Sequence, residues 1–289
     1  MSNKRGLFIV VASVVFFLWN KQSALLFLIE HGYHDTVWPW LLLAVVLFLC
    51  LHFFKFIRYY LILLESRIPL GDYIRLYMQV TLVNILIPFK LGEIFRFAMV
   101  ARQCKSARLS ILSIISERFF DTCIIVVMLI THVVFLRGEW AAPLVFLALF
   151  VAVCFLAYWT YSSTSRYLNR FFVLKPPVRG DVYCLQALDR MDGWYACEQK
   201  IIHGKGPLLL ICSMFAWLTE YFFFAVLAKI FYLPFGMDVF SKYISSILTV
   251  SSDFPPVFNT AYSVVGICTF AMLYLLVVCD KKTKEALRK

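Results

Sequence analysis

Charge is scarce in this sequence, and negative charge is the scarcer kind. Only 16% of its 289 residues are Asp, Glu, Lys or Arg, 17 of them acidic and 28 basic. Soluble domains carry about 25% charged residues, so the chain is short of the side chains a water-facing surface needs. Cysteine is present nine times, but never as Cys-x-x-Cys. Most of these cysteines lie inside apolar runs, where the thiol behaves as a small hydrophobe, and neither a disulfide framework nor a zinc site is inferred. His31 and His34 have a ligand-like gap but no further His or Cys nearby, so they read as a polar loop with no metal. There is no P-loop, no Gly-x-Ser-x-Gly and no complete zinc motif, which removes the usual nucleotide, serine-hydrolase and metalloprotease readings. No cofactor is expected.

What is abundant is apolar surface. Hydrophobic residues make up 62% of the chain, against about half in soluble domains. The expected fold is an all-α integral membrane protein. The net charge of +11 raises nucleic acid as a partner. The basic residues instead cluster between apolar segments, as the positive-inside rule requires, so no nucleic-acid partner is expected.

Six spans follow from the apolar runs: residues 6–29, 39–54, 110–136, 141–161, 207–229 and 257–279. The first follows a basic start but lacks a clean small-residue cleavage site, so it reads as an uncleaved helix. Trp38 and Trp40 stand as interface anchors of the second. Lys55, Arg58, Arg67 and Arg75 read as a basic connection after it. Two further elements are too short or too interrupted to cross, at about residues 73–100 and 238–256. Residues 162–206 form a polar segment with seven Lys and Arg. Within it Val182, Leu185, Leu188 and Met191 recur at helical spacing, which predicts an amphipathic helix. The chain thus reads as one polytopic domain, 1–289. Its first half is residues 1–161, a cytoplasmic loop spans 162–206, and the second half is residues 207–289. The broken elements occupy corresponding places in the two halves, the layout that points to a transport site between repeats.

Residues 84–121 carry the chemistry. Asn84, Pro88, Lys90, Gly92, Glu93 and Arg96 are followed by Glu117, Arg118 and Asp121, all in apolar surroundings. Pro88 breaks the helix and biases the residue before it away from helical geometry. Gly92 permits close backbone approach just beyond. Charges in a bilayer cost about 2.5–3.5 kcal/mol each on insertion scales and usually mark a pathway or a paired site. Glu93 and Arg96 share a helix face, as do Glu117 and Asp121. Two adjacent carboxylates need a cation, and Lys90, Arg96 and Arg118 are the candidates. One cluster built from both segments is expected. In the second half Glu220 is a further buried-charge candidate, and Pro255 and Pro256 mark the break.

The ordered set from Asn84 to Asp121 resembles the lysylphosphatidylglycerol synthase transmembrane-region family, the flippase-like domain. The resemblance implies a multi-pass protein of the cytoplasmic (inner) membrane, concerned with translocating a lipid or lipid-linked glycan. The second half departs from the family's Pro/Gly-rich turn followed by an acid: no glycine follows Pro255 and Pro256 until Gly266, and Asp253 precedes them. The working mechanism has Lys90, Arg96 and Arg118, with the half-helix ends, receiving an anionic lipid headgroup. Glu93, Glu117 and Asp121 balance those cations when the site is empty. Partners are membrane lipids, with a glycosyltransferase or lipid-modifying synthase as a further candidate. The alternatives are a membrane enzyme or accessory subunit acting on a lipid headgroup, and an ion-pair network that merely pins a hairpin.

Asp189, Asp192, Gly193 and Ala196 imitate the start of the CDP-alcohol phosphotransferase signature. Cys197, Leu210 and Met214 occupy the positions where that chemistry needs Arg and two more carboxylates, so this stretch reads as a polar helix.

With both termini cytoplasmic, the inside segments hold nearly all the Lys and Arg, including seven in the central loop and five after Cys279. A Ser163→Cys variant in intact cells is therefore expected to resist an impermeant maleimide added from outside and to react after permeabilisation. Efficient labelling from outside would overturn the layout.

Overall fold

The computed structural model describes residues 22, 26, 37–66, 68–86, 91–136, 141–174, 181–248 and 254–286. The expected first span, His31, His34, Pro88 and Lys90 lie outside these. Among the described residues the fold is all-helical: α1 (Val37–Leu63), a 3-10 turn (Leu64–Ser66), α2 (Leu70–Leu86), α3 (Leu91–Cys104), α4 (Ala107–Leu136), α5 (Ala141–Leu174), α6 (Asp181–Ile202), α7 (Gly206–Ile230), α8 (Met237–Leu248) and α9 (Pro256–Ala286).

Three stretches, Val37–Ser66, Leu144–Leu174 and Gly206–Ile230, are long and apolar enough to cross a membrane. Their surfaces say the same. On α1, Trp38, Leu42, Val46, Leu49 and Phe53 recur every three or four residues and are all exposed, while Ala44, Phe48 and Leu51 on the other side are buried. An outward apolar stripe with a packed inner face suits hydrocarbon, not water. α5 repeats the pattern with Val145, Phe146, Leu149, Val153, Leu156 and Trp159 exposed. Trp40 receives the Lys229 ammonium over its ring at 4.7 Å, the behaviour of an anchor at a wet boundary.

Several boundaries differ from the sequence reading. α1 does not stop near residue 54: apolar Tyr59–Leu63 continues the helix past Lys55 and Arg58, so these are helical and not part of a connection. α5 runs on to Leu174 instead of ending at residue 161. Its polar extension is stabilised locally, for example by Arg166 Nε donating to the Ser162 carbonyl at 3.1 Å. α6 is helical as expected, but its packed side differs. Val182 and Met191 are exposed, whereas Leu188 and Ile201 are buried, and Trp194 and Cys197 pack on Leu112 and Phe120 of α4. α4 is long, yet its first half carries Arg108, Glu117, Arg118 and Asp121. Only its last 15 residues are uncharged, about 22 Å at 1.5 Å per residue.

The chain divides into two compact units. One comprises residues 1–57, 68–105 and 215–289, and the other residues 58–67 and 106–214. In the first, α2 is 17 residues and α3 is 14, each shorter than the roughly 20 a span requires. α2 packs on α3, and α2 also packs on α9. The segments expected to be broken, α2–α3 and α8, both belong to this unit. An aromatic core joins α7, α8 and α9, with Phe224 4.6 Å from Tyr243 and Phe223 5.7 Å from Tyr262, centroid to centroid. Pro256 opens α9, where a missing N–H costs nothing. In the second unit α4, α5 and α6 pack pairwise, and Ser106 caps α4 by accepting from the Leu109 amide at 3.2 Å.

Gly92 sits tightly against α2. A Cβ there would overlap the Asn84 side chain and lie 2.8 Å from the Asn84 Cα. Gly71, at the exposed start of α2, has nothing within 4 Å. Gly92→Ala is expected to destabilise by about 1–3 kcal/mol through overpacking, whereas Gly71→Ala should be neutral or stabilise by up to about 1 kcal/mol. Thermal unfolding of both variants in detergent checks this, and equal midpoints would contradict the close approach.

Candidate functional site

Among the described residues the buried charges fall in two groups, one in each unit. In the second unit Arg58, 1% exposed, projects from α1 between two carboxylates of α4. Its Nη2 donates to Glu117 Oε1 at 2.5 Å and to Asp121 Oδ2 at 3.1 Å. Its Nη1 pairs with Asp121 Oδ1 and donates to Ser213 Oγ on α7 at 2.7 Å. Four-residue spacing stacks Glu117 and Asp121 one turn apart, so a planar guanidinium spans both, which a point-charge ammonium does less well. The cation between these two acids is therefore a residue that the sequence reading assigns to a connection. The signal was available: Arg58 is flanked on both sides by apolar residues, Phe56-Ile57 and Tyr59-Tyr60-Leu61, too continuous for a loop. Arg118 is exposed.

In the first unit Arg96, on α3 just beyond the break, is buried and lies 3.7 Å from Glu93. That is an ion-pair distance, longer than a hydrogen bond. Asn84 is exposed at the end of α2 and meets Gly92. Glu220 of α7, 4% exposed, receives Lys55 Nζ of α1 on Oε2 at 3.2 Å and the Tyr243 hydroxyl of α8 on Oε1 at 2.7 Å. Both carboxylate oxygens are thus occupied, by one charged and one neutral donor. His52 of α1 lies between two tyrosines, with Tyr77 Oη 3.1 Å from Nδ1 and Tyr262 Oη 3.4 Å from Nε2. Those tyrosines come from α2, in the first of the expected broken elements, and from α9, the expected last span. Sequence reasoning singled out Glu220 but missed His52, Lys55 and the tyrosines. Tyrosine is common in apolar helices, and no spacing within one helix reveals a partner on another.

Pro255 is partly buried and Pro256 exposed at the start of α9. The phosphotransferase imitation resolves as a helix seam: Asp192 accepts from Ser165 at 2.6 Å and from Tyr161 at 2.9 Å. Gly193 leaves room for Arg108, whose Nη1 a Cβ would approach to 2.7 Å.

Helices of this length, an outward apolar stripe and buried, partnered ions define an all-α membrane protein. The sequence matches the lysylphosphatidylglycerol synthase TM region over residues 6–279, nearly its whole length. The chain belongs to that family. Comparison with curated proteins and with solved structures returns no match.

Removing one member of a buried ion pair typically costs about 3–5 kcal/mol, because the other charge is left uncompensated. Arg58→Ala is expected to lose that much stability, while Arg190→Ala, exposed on α6, should stay within about 0.5 kcal/mol. Combining Arg58→Met with Glu117→Gln and Asp121→Asn should recover most of the loss. Unfolding midpoints in detergent decide, and an Arg58→Ala protein as stable as wild type would refute the clasp.

Proposed function

We propose that this protein is a flippase-like carrier that moves the headgroup of an anionic lipid, a phospholipid or a polyprenyl-phosphate-linked glycan, across the bilayer. The observation that carries the reading is that the segments of both expected broken elements, α2–α3 and α8, belong to one unit. α2 and α9 pack together there, and the same unit holds Arg96, the Lys55–Glu220 pair and the Tyr77–His52–Tyr262 chain. Interrupted helices leave backbone donors and acceptors that suit a polar headgroup, and such backbone is tolerated at membrane depth only in protein or beside a watery cavity.

In this reading α2 and α3 form a re-entrant hairpin and Arg96 is the primary anion receiver, aided by the N-terminus of α3 and by Lys90 as a further cation in sequence. A 3.7 Å pair with Glu93 is readily exchanged for a phosphate, which offers shorter, charge-assisted hydrogen bonds. Glu93 then compensates Arg96 between cycles. The acyl or prenyl chains stay in hydrocarbon, which the apolar stripes of α1 and α5 already border. The Arg58 clasp is a fixed element, because three side chains accept from its two terminal nitrogens.

The test is headgroup translocation by purified protein in liposomes carrying a fluorescent anionic phospholipid. Arg96→Ala is expected to lower the rate at least tenfold while Arg190→Ala leaves it unchanged. Exchanging the charges, Glu93→Arg with Arg96→Glu, should restore stability without restoring transport. A rate for Arg96→Ala equal to wild type would sink the assignment, and a new lipid species by mass spectrometry would favour the enzymatic alternative.

A further inference from the structure

The second unit holds a groove of about 280 Å³ between α4, α5 and α6. Its walls are Tyr158 and Tyr161 from α5 and Trp194, Tyr195 and Glu198 from α6, over Leu112 of α4. Tyr195 is the hub: its ring centroid lies 4.6 Å from that of Tyr161 and 5.5 Å from that of Tyr158. Glu198 is anchored on one side only. Ser116 donates to its Oε1 at 2.8 Å, while Oε2 is buried and accepts no hydrogen bond among the described residues. A buried carboxylate oxygen without a donor costs free energy that a ligand can return.

We propose that this groove binds an organic ammonium group. Four aromatic rings and one carboxylate offer what a weakly hydrated cation needs: electron-rich faces around it and one counter-charge beneath it. A hard metal ion would need several oxygen ligands, whereas the groove supplies one carboxylate. The Tyr161 hydroxyl donates to Asp192 at 2.9 Å, which enriches the ring in electrons and holds it in place. The Trp194 ring already takes the Arg108 guanidinium at 5.7 Å, and Arg108 is not among the lining residues. Burial pushes the Glu198 carboxyl up, with the Ser116 hydrogen bond opposing; a cation in the groove reverses that penalty. At about 280 Å³ the groove is smaller than the usual ligand pockets of about 300–1,000 Å³, so it suits a headgroup-sized cation and not a whole lipid. Met191, 53% exposed at the rim, leaves the groove open. The residues that imitate a phosphotransferase signature, Asp192 to Tyr195, thus form a wall for a cation. The site lies outside the unit holding Arg96 and does not depend on translocation.

Two sources carry this chemistry, an amine-bearing lipid headgroup and a free amine. The full chain, in nanodiscs of phosphatidylglycerol, is titrated with tetramethylammonium and with ethanolamine at constant ionic strength. Tryptophan fluorescence is the readout and a Trp194→Phe protein the baseline. A saturable, Trp194-dependent change is expected, with affinity at least tenfold weaker in Glu198→Gln, a variant that keeps the Ser116 contact and whose unfolding midpoint is read in the same samples. Repeating the titration in phosphatidylethanolamine nanodiscs separates the sources: a shift to higher concentration identifies a lipid-borne ligand, and an unchanged curve a free amine. Absence of a saturable Trp194-dependent change, or equal affinity in a folded Glu198→Gln protein, overturns the proposal.

Discussion

Everything in this molecule is conditioned by the cost of charge in apolar surroundings. An isolated ion taken from water into a medium of low dielectric loses of order 20 kcal/mol of solvation in the idealised limit, and several kcal/mol even after relaxation. The sequence responds by using few charges and by giving the buried ones defined partners. Arg58 shows the form this takes. Its planar donors meet two carboxylates one helical turn apart and a serine on a third helix, so α1, α4 and α7 are held in one register. A helix sliding by one residue would move a carboxylate about 100° around its axis and break the set. The clasp specifies position more than it adds net stability.

The same cost explains why the long helices are not uniformly apolar. α4 is charged through its first half and apolar only beyond it, and the charged half is where α6 and Arg58 pack. α5, by contrast, has little to protect and turns Val145, Leu149, Val153 and Leu156 outward. The short helices follow the complementary rule. Helix ends carry backbone groups that hydrocarbon cannot satisfy, and α2 is shielded by both α3 and α9. Gly92 makes this packing possible because any side chain there would meet Asn84. Gly266 on α9 plays the matching part, facing Ile85 of α2 and Phe48 of α1.

The polar seams follow a graded logic. Glu220 is bound by a lysine and a tyrosine and Asp192 by a serine and a tyrosine, while among the described residues one Glu198 oxygen has no donor. Carboxylates bound from two sides hold helices together. A carboxylate short of a donor, set among aromatic rings and open to the outside, is suited to a transient cation.

Composition and periodicity determined a good deal alone. The all-α membrane class, the shared face of Glu117 and Asp121 and the buried place of Glu220 were all legible, because each depends on spacing within one segment and on the cost of charge in lipid. The family was legible too, in the order of Asn84, Gly92, Glu93 and Arg96. Other features were decided only when the helices packed. Arg58 as the partner of Glu117 and Asp121, His52 between Tyr77 and Tyr262, the packed face of α6 and the aromatic wall around Glu198 join residues 25 to 210 positions apart. Ion pairs, ring contacts and hydrogen bonds depend on distance in space, and helical periodicity carries no information about which face of one helix meets which face of another.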